Sequence, residues 1–330
     1  MTAPPLPVLT PSPTTALAGP HRVSIVVLTY NRRDSLKELL DEMASVRGDI
    51  LEIIVVDNCS SDGTAEMLRR DHPGVRHHRT ERNRGVCARN DGLERARGEI
   101  VITLDDDILG LDRAAVAHIV RTFREDEALG ALNFRVVDHF SGATACWVHH
   151  RPIDQAPARF ETYEITEGAV AFRAAALRAT GGYYEEFFIS HEGPDLAFRL
   201  MNAGYRVAYD GSVTVRHKHE ERSREPWRFY YYDTRNQIWL AARNMPAGYA
   251  ARYLFTGLAA MLVYAIRDGY LGWWWRGVRD GLARVGRVRR TRRPWSATTA
   301  AAVRRIDRQR PGFWTLLRAR VSGPANRLDR

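Results

Sequence analysis

The chain has 330 residues, 45% of them apolar and 27% charged, with a formal net charge of +10. These proportions exclude a disordered chain, a collagen-like chain and a protein of many membrane spans. The length suits one large domain or two small ones with ample core.

The charge is unevenly spread. Arg276 to Arg330 holds 16 arginines, no lysine and three aspartates, a net of +13, so the first 275 residues carry −3. A basic tail suits nucleic acid, anionic lipid or another polyanion. Across the chain arginine outnumbers lysine 47 to 2. Cys59, Cys87 and Cys146 are odd in number and form no CxxC, which fits reduced thiols in a cytoplasmic protein better than a zinc site or a disulfide framework. The first twenty residues hold six prolines and lack both a charged start and an apolar run. A disordered arm over 1–21 is expected there, and no secretory leader.

Order begins at Val23. Val23 to Leu28 is a β-branched apolar run and reads as a buried parallel strand. Leu36, Leu39, Leu40 and Met43 recur at helical spacing, with Ser35 and Glu38 placed as a capping box. Ile50 to Val56 is a second strand, and a helix follows Gly63-Thr64 to about Arg70. Val75 to His78 reads as a short strand, Gly85 to Arg97 as a helix and Ile100 to Leu104 as another apolar strand. This alternation means a parallel sheet with right-handed crossovers. Thr162 to Phe172 then reads as strand, Ala174 to Ala179 and Pro194 to Ala203 as helices, and Val213 to Val215 as a strand leading to His217. The aromatic segment after Pro226 reads as helical. Leu254 to Ile266 is apolar over 13 residues, short of the roughly 20 that span a bilayer. Beside Trp273-Trp274-Trp275 and the arginine-rich tail it suits an in-plane interfacial helix or an ordinary packed one.

Parallel sheets bind ligands beyond the carboxyl ends of their strands. The residues there are Thr29-Tyr30-Asn31, Asp57-Asn58 and Asp105-Asp106-Asp107, all polar. Three crowded carboxylates repel unless a cation neutralises them, and oxygen ligands suit Mg²⁺ or Mn²⁺ shared with substrate phosphates. A solvated acidic turn is the alternative. Asp57 is placed either to read a nucleobase edge or to close an Asx turn. The chain has no GxGxxG, P-loop or GxSxG, which removes support for dinucleotide redox, P-loop and α/β-hydrolase chemistry. Metal-assisted chemistry on a nucleotide diphosphate remains.

Four runs in order, Val23–Arg32, Val55–Thr64, Asn83–Asn90 and Leu104–Asp107, resemble glycosyltransferase family 2 over roughly residues 22–245. The resemblance implies a GT-A fold: α/β, Rossmann-like, with a mostly parallel central sheet and flanking helices. It implies an inverting, metal-dependent enzyme that uses a UDP-, dTDP- or GDP-linked sugar. Thr29, Tyr30, Asn31 and Asp57 are then donor contacts, with Asn83, Arg89, Asp105 and Asp106 near the base or phosphates. Asp105 and Asp107 match the outer carboxylates of a DxD, Asp107 being the direct metal ligand and His217 a third. Gly168 and Trp147, with His149 and His150 beside it, are placed at an acceptor pocket, core packing being as good a reading for Trp147. Relatives carry Glu-Asp-x-Asp-Leu where this chain has Glu192-Gly193-Pro194-Asp195-Leu196, so the second acid is absent. Glu192 is the favoured base and Asp195 the next.

The division expected is an arm (1–21), a GT-A domain (22–245) and a helical, arginine-rich region (246–330). The acceptor stays open between polysaccharide, lipid-linked glycan and small molecule. A nucleotidyltransferase and a non-catalytic sugar- or lipid-binding scaffold are the alternatives. No nucleic acid partner is expected, because the tail has few aromatics beyond Trp295, Phe313 and Trp314 and no recognised RNA-binding motif. An anionic membrane surface suits it better, at the inner face of the plasma membrane.

Overall fold

The computed structural model describes residues 22–47, 50–149, 151–219 and 225–311. The expected arm at 1–21, His150, Phe313, Trp314 and the rest of 312–330 lie outside the described residues.

The first half alternates as the sequence pattern demands. It runs β1 (Val23–Thr29), α1 (Arg33–Glu42), β2 (Glu52–Asp57), α2 (Thr64–Asp71), β3 (Arg76–Arg79), α3 (Arg89–Arg95) and β4 (Ile100–Asp105). β1, β2 and β4 are buried on both faces, which is why they read as unbroken β-branched runs rather than alternating ones. β5 (Ile108–Leu109), α4 (Arg113–Glu125), β6 (Leu129–Asp138), β7 (Arg159–Glu161), β8 (Ala169–Arg173), α5 (Ala174–Thr180), α6 (Glu192–Asn202) and β9 (Arg206–His217) complete the sheet and its cover.

The strand order is β3-β2-β1-β4-β8-β6-β9-β5, with β7 paired to β9. β3, β2, β1 and β4 are mutually parallel, and so are β6 and β9. β8 runs antiparallel between β4 and β6. Its entry is therefore beside the carboxyl end of β4, with Leu104 opposite Ala169. One core fills the face under α1, α2 and α4 and the other the face under α5 and α6.

Three local expectations are corrected. The capping box on α1 does not form, since the N-cap is Arg32 without a side-chain cap and Glu38 instead receives Lys218 Nζ at 2.8 and 2.6 Å. Residues 162–172 are not one strand, because a turn closed by the Ala169 N–H on Thr166 O (2.8 Å) separates β7 from β8. The 85–97 helix opens with a 3₁₀ turn over Gly85–Ala88.

Four helices follow a π-helical turn at Phe229–Asp233: α7 (Thr234–Asn244), α8 (Ala247–Arg267), α9 (Leu271–Arg289) and α10 (Ala297–Asp307). α8 is 21 residues long, longer than its central apolar run, and by length and composition alone could cross a membrane. Val288, Trp295, Val303 and Ile306 share one core with Phe198 of α6 and Trp239 of α7. The 245/246 division thus marks a change of composition within a continuous core. α9 lies close on the aromatic turn and α7. A Cβ at Gly277 would stand 2.7 Å from Tyr231 O, and one at Gly281 2.7 Å from Ile238 Cδ1. The Trp239 indole N–H donates to Gly281 O at 3.0 Å.

Gly277→Ala should accordingly destabilise the fold by about 1–3 kcal/mol through overpacking, despite alanine's better helix propensity. Thermal unfolding measures this, and an unchanged or raised Tm would contradict the close approach.

Candidate active site

The carboxyl ends of three adjacent parallel strands meet here. Thr29 is in register with Asp57 across β1 and β2, and Leu28 with Asp105 across β1 and β4. β9 adds His217, paired with Ile108 of the two-residue strand that follows the acids.

At the end of β2, Asp57 is fully buried. Its Oδ1 accepts the Ser60 N–H at 2.7 Å. His77 Nε2 and Arg79 Nε stand 3.5 and 3.8 Å from Oδ2, which accepts no hydrogen bond among the described residues. Burial raises the Asp57 pKa, but His77 and Ser60 more than offset it and hold the carboxyl below its usual range. Asn31 sits in the left-handed region at φ 53° and braces the next loop, donating to Ser60 Oγ (2.9 Å) and accepting from the Ser61 N–H (2.7 Å). Tyr30 is 46% exposed. Asn83 Oδ1 accepts from Asn58 Nδ2 at 3.0 Å and from the Gly85 N–H at 2.8 Å, so it shapes the loop through its neighbours.

The three acids diverge. Asp105 pairs with the guanidinium of Arg89, which is itself almost wholly enclosed. A Cβ at Gly168 would overlap the Asp105 carboxylate, so that glycine makes room for Asp105. Asp106 accepts Thr29 Oγ1 at 2.7 Å and Arg32 Nη1 at 3.3 Å. Burial and the adjacent Asp107 charge push its pKa up to about 6 against the pull of Arg32. Asp107 pairs with Arg32 and, at 3.3 Å, with His217 Nε2. Burial raises its pKa, but His217 and Arg32 prevail and hold it at about 2. Burial lowers the His217 pKa, and Asp107 and Cys146 (Sγ 3.6 Å from Nδ1) outweigh it, raising it to about 10.

Asp107 Oδ1 is buried and accepts no hydrogen bond among the described residues. One such carboxylate oxygen beside an imidazole suits a Mg²⁺ or Mn²⁺ ion completed by phosphate oxygens and water. Asp105 is turned to Arg89, and no group of three metal-ligating side chains is preassembled among the described residues. The side chains that could hold such an ion are Asp107 and His217.

The acids expected to supply a base part company. Asp195 is fully buried. It accepts Arg243 Nε at 2.5 Å and Asn244 Nδ2 at 2.7 Å on Oδ1, and Arg199 Nε at 2.8 Å on Oδ2. It is a structural node joining α6 to α7. Glu192 opens α6 and is 2% exposed. Glu167 is half-buried beside it. Burial raises the Glu167 pKa, with Arg89 among the opposing groups. Trp147 packs edge-on against His149, Phe160 and Tyr209 and donates its indole N–H to Arg151 O at 2.8 Å, the packing alternative for this residue. A cavity of about 330 Å³ lies elsewhere, between α10, the end of α6 and the start of β9.

The loop before α6 is strained, with Phe188, Ser190 and His191 at φ 66°, 71° and 68°. Asn236 Nδ2 holds it, donating to Phe187 O (3.0 Å), Ile189 O (2.6 Å) and Ser190 O (2.8 Å). His191 Nε2 pairs with Asp233 Oδ1 at 3.1 Å.

Three contributors are missing from the sequence-based expectations. Arg32 closes the first of the four runs but lies in a turn, where no periodicity shows its direction. His77 and Arg79 were legible in principle, because a period of two places them on the same face of β3 and the register sets Arg79 opposite Asp57.

Residues 24–180 match glycosyl transferase family 2. Just under half of the chain is thus similar to that family. The succinoglycan biosynthesis protein ExoO of Rhizobium meliloti is 33% identical over 111 residues, which is 33% of this chain and 31% of ExoO. The chain spans about a third of the length of curated relatives of this kind. In structure it is similar to S. aureus TarS 1–349 (TM-score 0.57, 17% identity, 92% of each chain). It is also similar to the mannosyltransferase PcManGT of Pyrobaculum calidifontis in complex with GDP-Man and Mn²⁺ (TM-score 0.53, 21% identity, 91% of this chain and 84% of that one). At these identities the structural likeness speaks for the GT-A fold alone.

The His191–Asp233 pair yields a pH signature. Burial lowers the His191 pKa, but Asp233 outweighs it and leaves it raised above 6.5. Burial raises the Asp233 pKa, and His191 and Gln237 leave it below 3.8. The imidazolium's contribution is complete below about pH 6.5 and is lost as pH climbs through the raised folded value. The carboxylate's contribution is complete above about pH 3.8 and is lost as pH falls through the lowered one. The stability deficit of Asp233→Asn should be greatest between about pH 4 and 6.5 and shrink at alkaline pH. Denaturant midpoints across that range measure it, and a pH-independent deficit would refute the pairing.

Proposed function

We propose that this protein transfers a sugar, with inversion, from a nucleoside-diphosphate donor to an acceptor hydroxyl. The observation that carries the reading is the meeting of Thr29, Asp57 and the Asp105–Asp107 acids at adjacent parallel strand ends, within the residues that match glycosyl transferase family 2. The Oδ2 of Asp57, buried and accepting no hydrogen bond among the described residues, would take a nucleobase N–H, as from the imide of uracil or thymine or from guanine. Thr29, Tyr30, Asn31 and Asn83 border the nucleoside. Arg89, held through Asp105, and Asp106 border the diphosphate. Asp107 and His217 would hold Mg²⁺ or Mn²⁺, which when bound stabilises the departing diphosphate. A carboxylate of the Glu167–Glu192 group takes the acceptor's proton, since both oxygens of Asp195 are committed. ExoO's name places that relative in polysaccharide synthesis, and a cell-envelope glycan is the acceptor class we favour. Trp147, Gly168 and His149 then lie behind the acceptor side.

The expected result is metal-dependent hydrolysis of one among UDP-, dTDP- and GDP-sugars. Asp107→Ala should lower it about 100-fold or more while the fold survives. A fully active variant would remove the metal assignment, and release of pyrophosphate instead of nucleoside diphosphate would favour a nucleotidyltransferase.

We further propose that α8 and α9 rest on an anionic membrane surface at the cytoplasmic face. Phe255, Val263 and Ile266 form one exposed stripe on α8, and Leu271, Trp275 and Leu282 another on α9. Phe255 is 78% and Trp275 62% exposed. Arginines at 276, 279 and 289 lie on or beside the second stripe, which supports an interfacial helix facing acidic lipid. Phe255→Glu with Trp275→Glu should release the protein from phosphatidylglycerol vesicles in flotation, and unchanged flotation would place this face away from lipid.

A further inference from the structure

An inverting transfer needs a carboxylate that is basic, close to the reacting centre and reachable by the acceptor. Asp195 fails on access, being fully buried with three hydrogen bonds from Arg199, Arg243 and Asn244. Glu192 is 2% exposed in the first turn of α6. Glu167 alone of the three keeps part of its surface in solvent.

Its backbone is fixed at the edge of the acids. Glu167 O accepts Thr103 Oγ1 at 2.6 Å, and the next residue, Gly168, accepts the Asp105 N–H at 3.2 Å. Its carboxylate reaches the start of α6, where the Gly193 backbone favours its charged form. It lies so close to Gly193 that a Cβ there would overlap Glu167 Oε1, and would also stand 2.6 Å from Ile165 O. Position 193 is where the sequence departs from the Glu-Asp-x-Asp-Leu pattern. The place that a side chain at 193 would enter is already held by a carboxylate from another segment.

We propose that Glu167 is the catalytic base, and that the glycine at 193 keeps open the space its carboxylate fills. This rests on the glycosyl-transfer reading above. In the step, the acceptor O–H gives its proton to a Glu167 carboxylate oxygen. The acceptor oxygen forms the new bond to the anomeric carbon from the face opposite the nucleotide. The bond from that carbon to the diphosphate oxygen breaks, and its electron pair leaves with the nucleoside diphosphate. The burial that raises the Glu167 pKa favours this role.

The test uses the full chain, Mn²⁺, and whichever UDP-, dTDP- or GDP-sugar the wild type hydrolyses, so that water serves as acceptor. Glu167→Gln is expected to lower kcat by about 100-fold or more while binding of the nucleoside diphosphate, measured by calorimetry, is unchanged. Glu167→Ala should regain turnover in added formate, a small carboxylate that can enter the vacated space, whereas a residue with only a packing role would not respond. Glu192→Gln should lose far less than Glu167→Gln. Near-wild-type turnover in Glu167→Gln, or a loss confined to Glu192→Gln with nucleotide binding intact, would overturn the assignment of Glu167 and leave the glycosyl-transfer reading standing. A wild type that binds nucleoside diphosphate yet hydrolyses none of the donors would overturn the transfer reading itself, and the base with it.

Discussion

Arg89 is enclosed at the first turn of α3, with its guanidinium against Asp105. A cation taken out of water must be met by opposite charge, because its desolvation penalty is several kcal/mol even after relaxation. Burial lowers its pKa, and the charges of Glu167, Glu192 and Asp106 work against that. One buried cation therefore gathers carboxylates from three separate segments. The demand propagates outward. Gly168 must be bare so that Asp105 can turn toward it, Gly193 must be bare so that Glu167 fits, and Gly92 must be bare so that α3 packs close on Val26 of β1 and Val56 of β2.

A second node ties the carboxy-terminal helices to this site. Asp195 receives Arg199 from its own helix, and Arg243 and Asn244 from α7. Arg243 also donates to Thr291 O at 2.8 Å, beyond α9. Part of the tail's basic excess is thus engaged with the body, as when Arg287 pairs with Glu186 at 2.5 Å and Arg305 with Glu161. The region is continuous with the core of the fold, while Phe255 of α8 and Trp275 of α9 stay exposed on its outer side.

What could be read from the residues divides along physical lines. β1, β2 and β4 announce themselves because strands buried on both faces are uninterrupted apolar runs, and the polar residues that follow them mark the site by topology alone. Side-chain direction in turns has no period, so the diversion of Asp105 to Arg89 and the approach of Arg32 to Asp107 could not be seen. The commitment of Asp195 was equally hidden, since two of its three donors lie 48 and 49 positions away. The turn at Thr166–Ala169 broke an apolar stretch that reads as one strand, and it carries Glu167. Local pattern located the elements; long-range pairing decided which acids are available.

The preference for arginine over lysine, 47 to 2, takes on meaning inside these nodes. Arg32, Arg89, Arg199 and Arg243 meet buried carboxylates at the site, beside the imidazoles of His77 and His217. A guanidinium stays protonated at any pH a cell meets, whereas a buried ammonium can lose its proton. The guanidinium share of this centre is consequently a fixed background. Any acid–base response that the enzyme displays must arise from its carboxyl and imidazole groups, titrating in a field that does not itself change.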